Sequence, residues 1–168
     1  RHRGHRWITL RRFDLAVDDF EFAAALCWGR RDEGEPDGKP NARNIPTSTL
    51  QSNIWYHLGL ARFLRGEYDK ALDAYNKCIA VSKNDDMLCA TLHWTWMTLR
   101  RLGRRAAADR LLRVVSADMD VIENHGYHEL LLLYRGERTL AELVPEDEGD
   151  GIASATVRLD RKSTRLNS

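Results

Sequence analysis

Apolar residues recur along the chain at helical spacing. Trp55, Leu58, Ala61 and Arg62 share one helical face, and Ala71, Ala74, Tyr75 and Cys78 follow the i, i+3, i+4, i+7 pattern of a second helix. Gly66 lies between the two stretches, so the pattern predicts a pair of amphipathic helices closed into a hairpin. Ser48, with Gln51 three residues on and Pro46 just before it, signals the start of the first helix. Gly59 and Ala71 are small where the helices must approach, while Trp55 and Tyr75 fill wider gaps.

A glycine followed five residues later by an alanine recurs at Gly66 and Ala71, Gly103 and Ala108, and Gly136 and Ala141. Arg11 and Ala16 hold the same frame with the glycine replaced. Recurrence at about the length of a helical hairpin predicts an array of hairpins, each too small to bury its own apolar face. The units so marked are 1–28, which begins inside its first helix, then 48–85, 86–116 and 117–144. The last is short, carries the leucine run 130–133, and is expected to cap the array. Residues 29–47, GRRDEGEPDGKPNARNIPT, break the pattern with three prolines and three glycines. They are expected to form a solvated loop insertion that folds over one edge.

The clearest unit, Ser52 to Asp85, resembles the tetratricopeptide repeat (TPR) family: Trp55, Leu58, Gly59, Ala61, Gly66, Tyr68, Ala71 and Tyr75 fall in the family's register. Cys78 stands where that family usually has Ala, Arg62 where it has Tyr, and Lys83 where it has Pro. Gly4, Trp7, Phe13, Ala16, Phe20 and Ala23 repeat the register upstream, whereas Trp96 in the third unit takes the place of a small residue and predicts different packing there. The resemblance implies an all-α helical-hairpin solenoid of about three to four repeats. It also implies a protein-interaction scaffold whose first helices line a concave wall. On that implication the candidate contacts are His5 in the first unit, Asn53, Tyr56, His57, Leu60 and Phe63 in the second, and His93, Trp94, Met97, Arg100 and Arg101 in the third. His2 and Thr9 extend the first set. A wall of aromatic, imidazole and guanidinium groups suits a protein or peptide with apolar anchors and acidic groups. The carboxylate clamp of some relatives is not carried over, because His57 and Leu60 occupy positions where Asn or Lys is needed.

Composition narrows the chemistry. The 168 residues contain 26 Lys and Arg against 25 Asp and Glu, a formal net charge of +1, which gives no global pull toward nucleic acid or an anionic membrane. A basic start, Arg1, Arg3, Arg6, Arg11 and Arg12, leaves only local nucleic-acid attraction to consider, and no nucleic-acid partner is expected. No apolar run approaches the roughly 18 residues of a membrane span. Three cysteines, Cys27, Cys78 and Cys89, form no C-x-x-C pair and read as small core residues. His2 with His5 and His125 with His128 have one-face i, i+3 spacing, yet a metal site needs further ligands, and a metal-binding protein is a remote alternative. The acidic cluster Asp32, Glu33, Glu35 and Asp37 lacks the donor alternation of a calcium loop. Asp85-Asp86 and Asp118 to Asp120 precede predicted helix starts and read as caps. No nucleophile elbow, phosphate-cradling loop or dinucleotide fingerprint occurs, so neither catalysis nor a cofactor is expected.

The segment 145–168 reads as a tail, and its last residues, Asp160 to Ser168, look like the translation of a DNA-sequencing adapter. Both ends are therefore expected to have been cut from a longer protein, and compartment is left open. The second function class is accordingly a non-catalytic regulatory or sensor segment of a larger enzyme or signalling protein.

Overall fold

Left-handed backbone positions punctuate the chain, and between them it is helical. A computed structural model describes residues 1–35 and 41–143; the tail, its adapter-like end and Asp37 lie outside the described residues. The helices are α1 (His2–Thr9), α2 (Phe13–Cys27), α3 (Leu50–Leu64), α4 (Tyr68–Val81), α5 (Asp85–Arg101), α6 (Arg105–Leu111), α7 (His125–Arg135) and α8 (Leu140–Leu143). A 3-10 turn, Leu112–Val114, follows α6. The fold is all-α. Its only extended pairing among the described residues joins β1 (Gly34–Glu35) antiparallel to β2 (Ser48–Thr49).

Four helices end in the same way. Gly66, Gly103 and Gly136 take φ of 78°, 71° and 81°, and Arg11 takes 55°. In each case the next N–H reaches five residues back: Arg12 to Trp7 O (2.8 Å), Glu67 to Arg62 O, Arg104 to Leu99 O and Glu137 to Leu132 O (2.9 Å each). This closure satisfies carbonyls that the helix leaves unpaired and turns the chain back on itself.

Packing then runs in sequence, α1 on α2, α2 on α3, α3 on α4 and α4 on α5, with α5 also meeting α6 and α7. Ala16, Ala71 and Ala108, each five residues past a left-handed turn, are fully buried, whereas Ala141 on the short α8 is exposed. A Cβ added to Gly4 would stand 2.9 Å from the Phe20 ring, and one added to Gly59 would stand 2.5 Å from the Tyr75 ring. These glycines therefore set how closely each aromatic crosses the opposite helix. In the third unit Trp96 occupies the equivalent place. Its indole lies flat on Tyr134 of α7, centroids 3.8 Å apart and planes within 8°, and packs against the cluster around Leu92, Leu112 and Leu131. Packing differs there because a large ring cannot accept a close crossing.

Two helix starts differ from expectation. The N-cap of α3 is Thr49, one residue after Ser48; Ser52 N–H donates to Thr49 Oγ1 (3.2 Å), and Thr49 N–H to Ser52 Oγ (2.9 Å). Ser48 is instead paired with Glu35 across the insertion. At α5 the cap is Asn84, whose Oδ1 accepts from Met87 N–H at 2.9 Å. Asp85 and Asp86 are not caps. The Asp86 carboxylate, 0% exposed, accepts from the backbone N–H groups of Ile122 (2.6 Å), Glu123 (2.7 Å) and Asn124 (2.9 Å), while Asp85 accepts from Asp120 N–H at 2.7 Å. Together they hold the loop that leads into α7.

The insertion is tied down along its described length. Glu35 pairs with Arg1 at 2.7 Å and accepts from Asn53 Nδ2 at 2.9 Å. Asp32 accepts from Gln51 N–H, Arg43 reaches Asp120 at 2.6 Å, and Thr47 Oγ1 donates to Glu123 at 2.8 Å. It contacts the first two helical units and the loop before α7.

Candidate interaction wall

The side chains singled out from the helical pattern fall on α1, α3 and α5, whose facing sides form a continuous run of rings. His5 lies against His57 with the rings tilted (centroids 3.7 Å apart, planes at 44°), and His57 lies edge-on to Tyr56 (5.0 Å). Phe63 lies edge-on to Trp94 and to Tyr68, both at 5.3 Å. His93 meets Tyr127 at 5.0 Å and Tyr134 at 5.8 Å.

Exposure divides this set in two. Tyr56 is 9% exposed, and His57 and His93 are 8% exposed, so these three are the packed foundation of the wall and not its contact surface. The cause is tertiary. Tyr127 of α7 brings its hydroxyl to 3.5 Å from that of Tyr56 and packs against the cluster of Tyr56, Cys78 and Ala90, while His5 of α1 and Phe20 of α2 cover His57. Leu60, Phe63, Trp94 and Met97 are half-buried and present one side outward, while Arg100 and Arg101 are exposed. His5 and Asn53, also half-buried, sit at the end where Glu35 of the insertion engages Asn53.

Burial fixes the charge state of the imidazoles. It lowers His93 from its ordinary 6.5 to about 4. Burial, and then the Arg1 charge, lower His5 to about 4. His57 is held well below the ordinary histidine range by burial and by His5. His57 Nδ1 lies 2.8 Å from Asn53 O, which places its ring proton on Nδ1. The wall is thus neutral at its foundation and cationic at one margin, where Arg101 donates to Tyr68 Oη (2.8 and 3.0 Å) and Arg100 lies over the Trp96 ring at 5.2 Å. Neither arginine is ion-paired among the described residues.

Other candidate chemistry is absorbed by structure. His128 Nε2 lies 2.7 Å from Ser116 O, and His125 is exposed; no group of three or more His, Cys, Asp or Glu side chains among the described residues is arranged to hold a metal. Burial raises the Cys78 thiol to about 11 and the Cys89 thiol to about 12, away from nucleophilic use. No helix among the described residues is long and apolar enough to cross a membrane. Tyr68, which the sequence marks only for its place in the repeat register, and Tyr127 and Tyr134, which it does not mark, also border these rings, although Tyr127 and Tyr134 are seven apart and so share a helical face.

Residues 52–85, the hairpin of α3 and α4, match the family model of the tetratricopeptide repeat. That hairpin is similar to a tetratricopeptide repeat. The chain's all-α fold of helical hairpins is that of a TPR-like array. Repeats of this family are generally protein–protein interaction modules and typically non-catalytic. No curated protein and no solved structure matches the chain.

Proposed function

We propose that this chain is an interaction scaffold that holds an acidic peptide segment with apolar anchors against the outer ends of α3 and α5. Leu60, Phe63, Trp94 and Met97 form the apolar floor, and Arg100 and Arg101 pair with the partner's carboxylates. One observation carries this reading: a ring-lined floor is bordered by two exposed guanidiniums, and no acidic side chain belongs to the set. Aromatic rings supply anchoring area at low entropic cost, and guanidinium recognises carboxylate through two parallel hydrogen bonds.

The test is peptide selection from a random library on the intact chain, followed by titration of the selected peptides. Sequences pairing aromatic or leucyl residues with Asp or Glu are expected. Met97→Ala or the double charge reversal Arg100→Glu, Arg101→Glu should weaken them roughly tenfold or more. Peptides bound equally well by both variants would place the partner elsewhere. Tyr56→Ala is unsuitable for this purpose, because its ring is buried and its loss reads out stability.

A further inference from the structure

A concavity sharing no residue with the wall opens between the C-terminal ends of α2 and α4 and the first turn of α3. Its volume is about 520 Å³, within the roughly 300–1,000 Å³ range of small-molecule sites. Ile54, Trp55, Ala80 and Val81 line it, and Trp28 forms a lip. That indole is 81% exposed, held out by the turn at Gly29 (φ 71°), and would gain by being covered. Gln51 is the one neutral polar amide of the lining, and the only charges are Arg30 and Lys77, neither ion-paired among the described residues. Lys77 Nζ stands 4.4 Å from the Trp55 ring centroid. The nearby Asp32 accepts from Gln51 N–H through Oδ1, and its Oδ2 lies 3.9 Å from Lys83 Nζ without a hydrogen-bond partner among the described residues. The two helix ends contribute about half a negative charge each, less than two full cations.

We propose that this cavity binds a small amphiphilic carboxylate, an aryl or medium-chain alkyl acid. Its tail lies on Ile54, Trp55 and Val81 beneath Trp28, and its carboxylate is directed to Lys77 and Arg30.

Titration calorimetry on the intact chain tests it with octanoate and octylammonium, which share a tail and differ in charge. Octanoate is expected to occupy a single site, and octylammonium to bind at least roughly tenfold more weakly. Ala80→Trp, at an exposed lining position, should fill the cavity and abolish binding. Lys77→Gln should weaken octanoate by roughly tenfold, and Met97→Ala, in the separate wall, should leave it unchanged. No octanoate binding, equal affinity for octylammonium, or octanoate binding that survives Ala80→Trp would overturn the assignment. If Ala80→Trp loses helicity by circular dichroism, the comparison of the two probes on the unaltered protein decides.

Discussion

Arg11 holds a backbone conformation that its three counterparts assign to glycine. At φ 55° its Cβ crowds the following carbonyl, which costs about 1–2 kcal/mol for a residue with a side chain. The side chain is exposed and forms no ion pair among the described residues, so little is lost by removing it. Arg11→Gly is therefore expected to raise stability by about 1 kcal/mol, read as a higher urea midpoint at unchanged slope. An unchanged midpoint would mean that the turn is not strained. The opposite case is Gly59, where a methyl group would enter the ring of the fully buried Tyr75. Gly59→Ala gains about 1 kcal/mol of helix propensity but overpacks the crossing, and a net loss on the order of 2 kcal/mol is expected in the same measurement. The Arg11 turn was legible in the sequence because its frame is local, the turn and the buried alanine lying five residues apart, and Gly59 because it is small in the family's register. The choice of Thr49 over Ser48 as cap was not. Both residues can cap a helix, and the decision falls to a partner, Glu35, thirteen residues away from Ser48.

Among elements, the helices followed from apolar spacing, whereas the way α7 is held did not. A pair of aspartates ahead of a helical stretch reads as a cap, and nothing local reveals that a carboxylate will instead meet backbone N–H groups more than thirty residues on. Asp86 accepts three such bonds in full burial, and the Asn124 side chain returns one to Asp86 O at 3.1 Å. Hydrogen bonds to a charged group contribute about 1.5–3 kcal/mol each, and leaving their donors buried without acceptors adds a further cost. Asp86→Ala is expected to cost on the order of 4 kcal/mol, while Asp86→Asn, which keeps an acceptor oxygen, should cost about half as much. Hydrogen exchange should show the loss first in residues 119–135. Uniform loss across α1 to α4 as well would argue that Asp86 supports the whole array and not this loop.

At the scale of the whole molecule, the packing of neighbouring helices split a periodic pattern into buried and outward-facing positions, and the division between them was invisible in the sequence. Tyr56, His57 and His93 lie on the face that spacing assigns to the wall. What covers Tyr56 and His93 is α7, whose Tyr127 reaches Tyr56 across 71 residues, while His57 is covered by His5 of α1 and Phe20 of α2. Burying imidazoles this way makes stability depend on pH. The folded values of His5 and His93 are about 4, His57 is lower than its ordinary value as well, and an unfolded histidine titrates near 6.5. Between these limits the unfolded chain binds more protons than the folded one, so stability is fully present above about pH 6.5 and falls as pH drops toward 4. For His93 alone the shift corresponds to about 3 kcal/mol, and the His5 and His57 contributions are coupled because the two rings touch. The urea midpoint should therefore be clearly lower at pH 5 than at pH 7. Carboxylates such as Asp19, whose hydrogen bond from Arg3 lowers its pKa, lose their contribution at more acid pH, which separates the two causes. His93→Phe, which keeps a ring among Trp94, Tyr127 and Tyr134 but cannot take a proton, should flatten the change between pH 7 and pH 5; an equally steep change in that variant would assign the acid sensitivity to groups outside the wall.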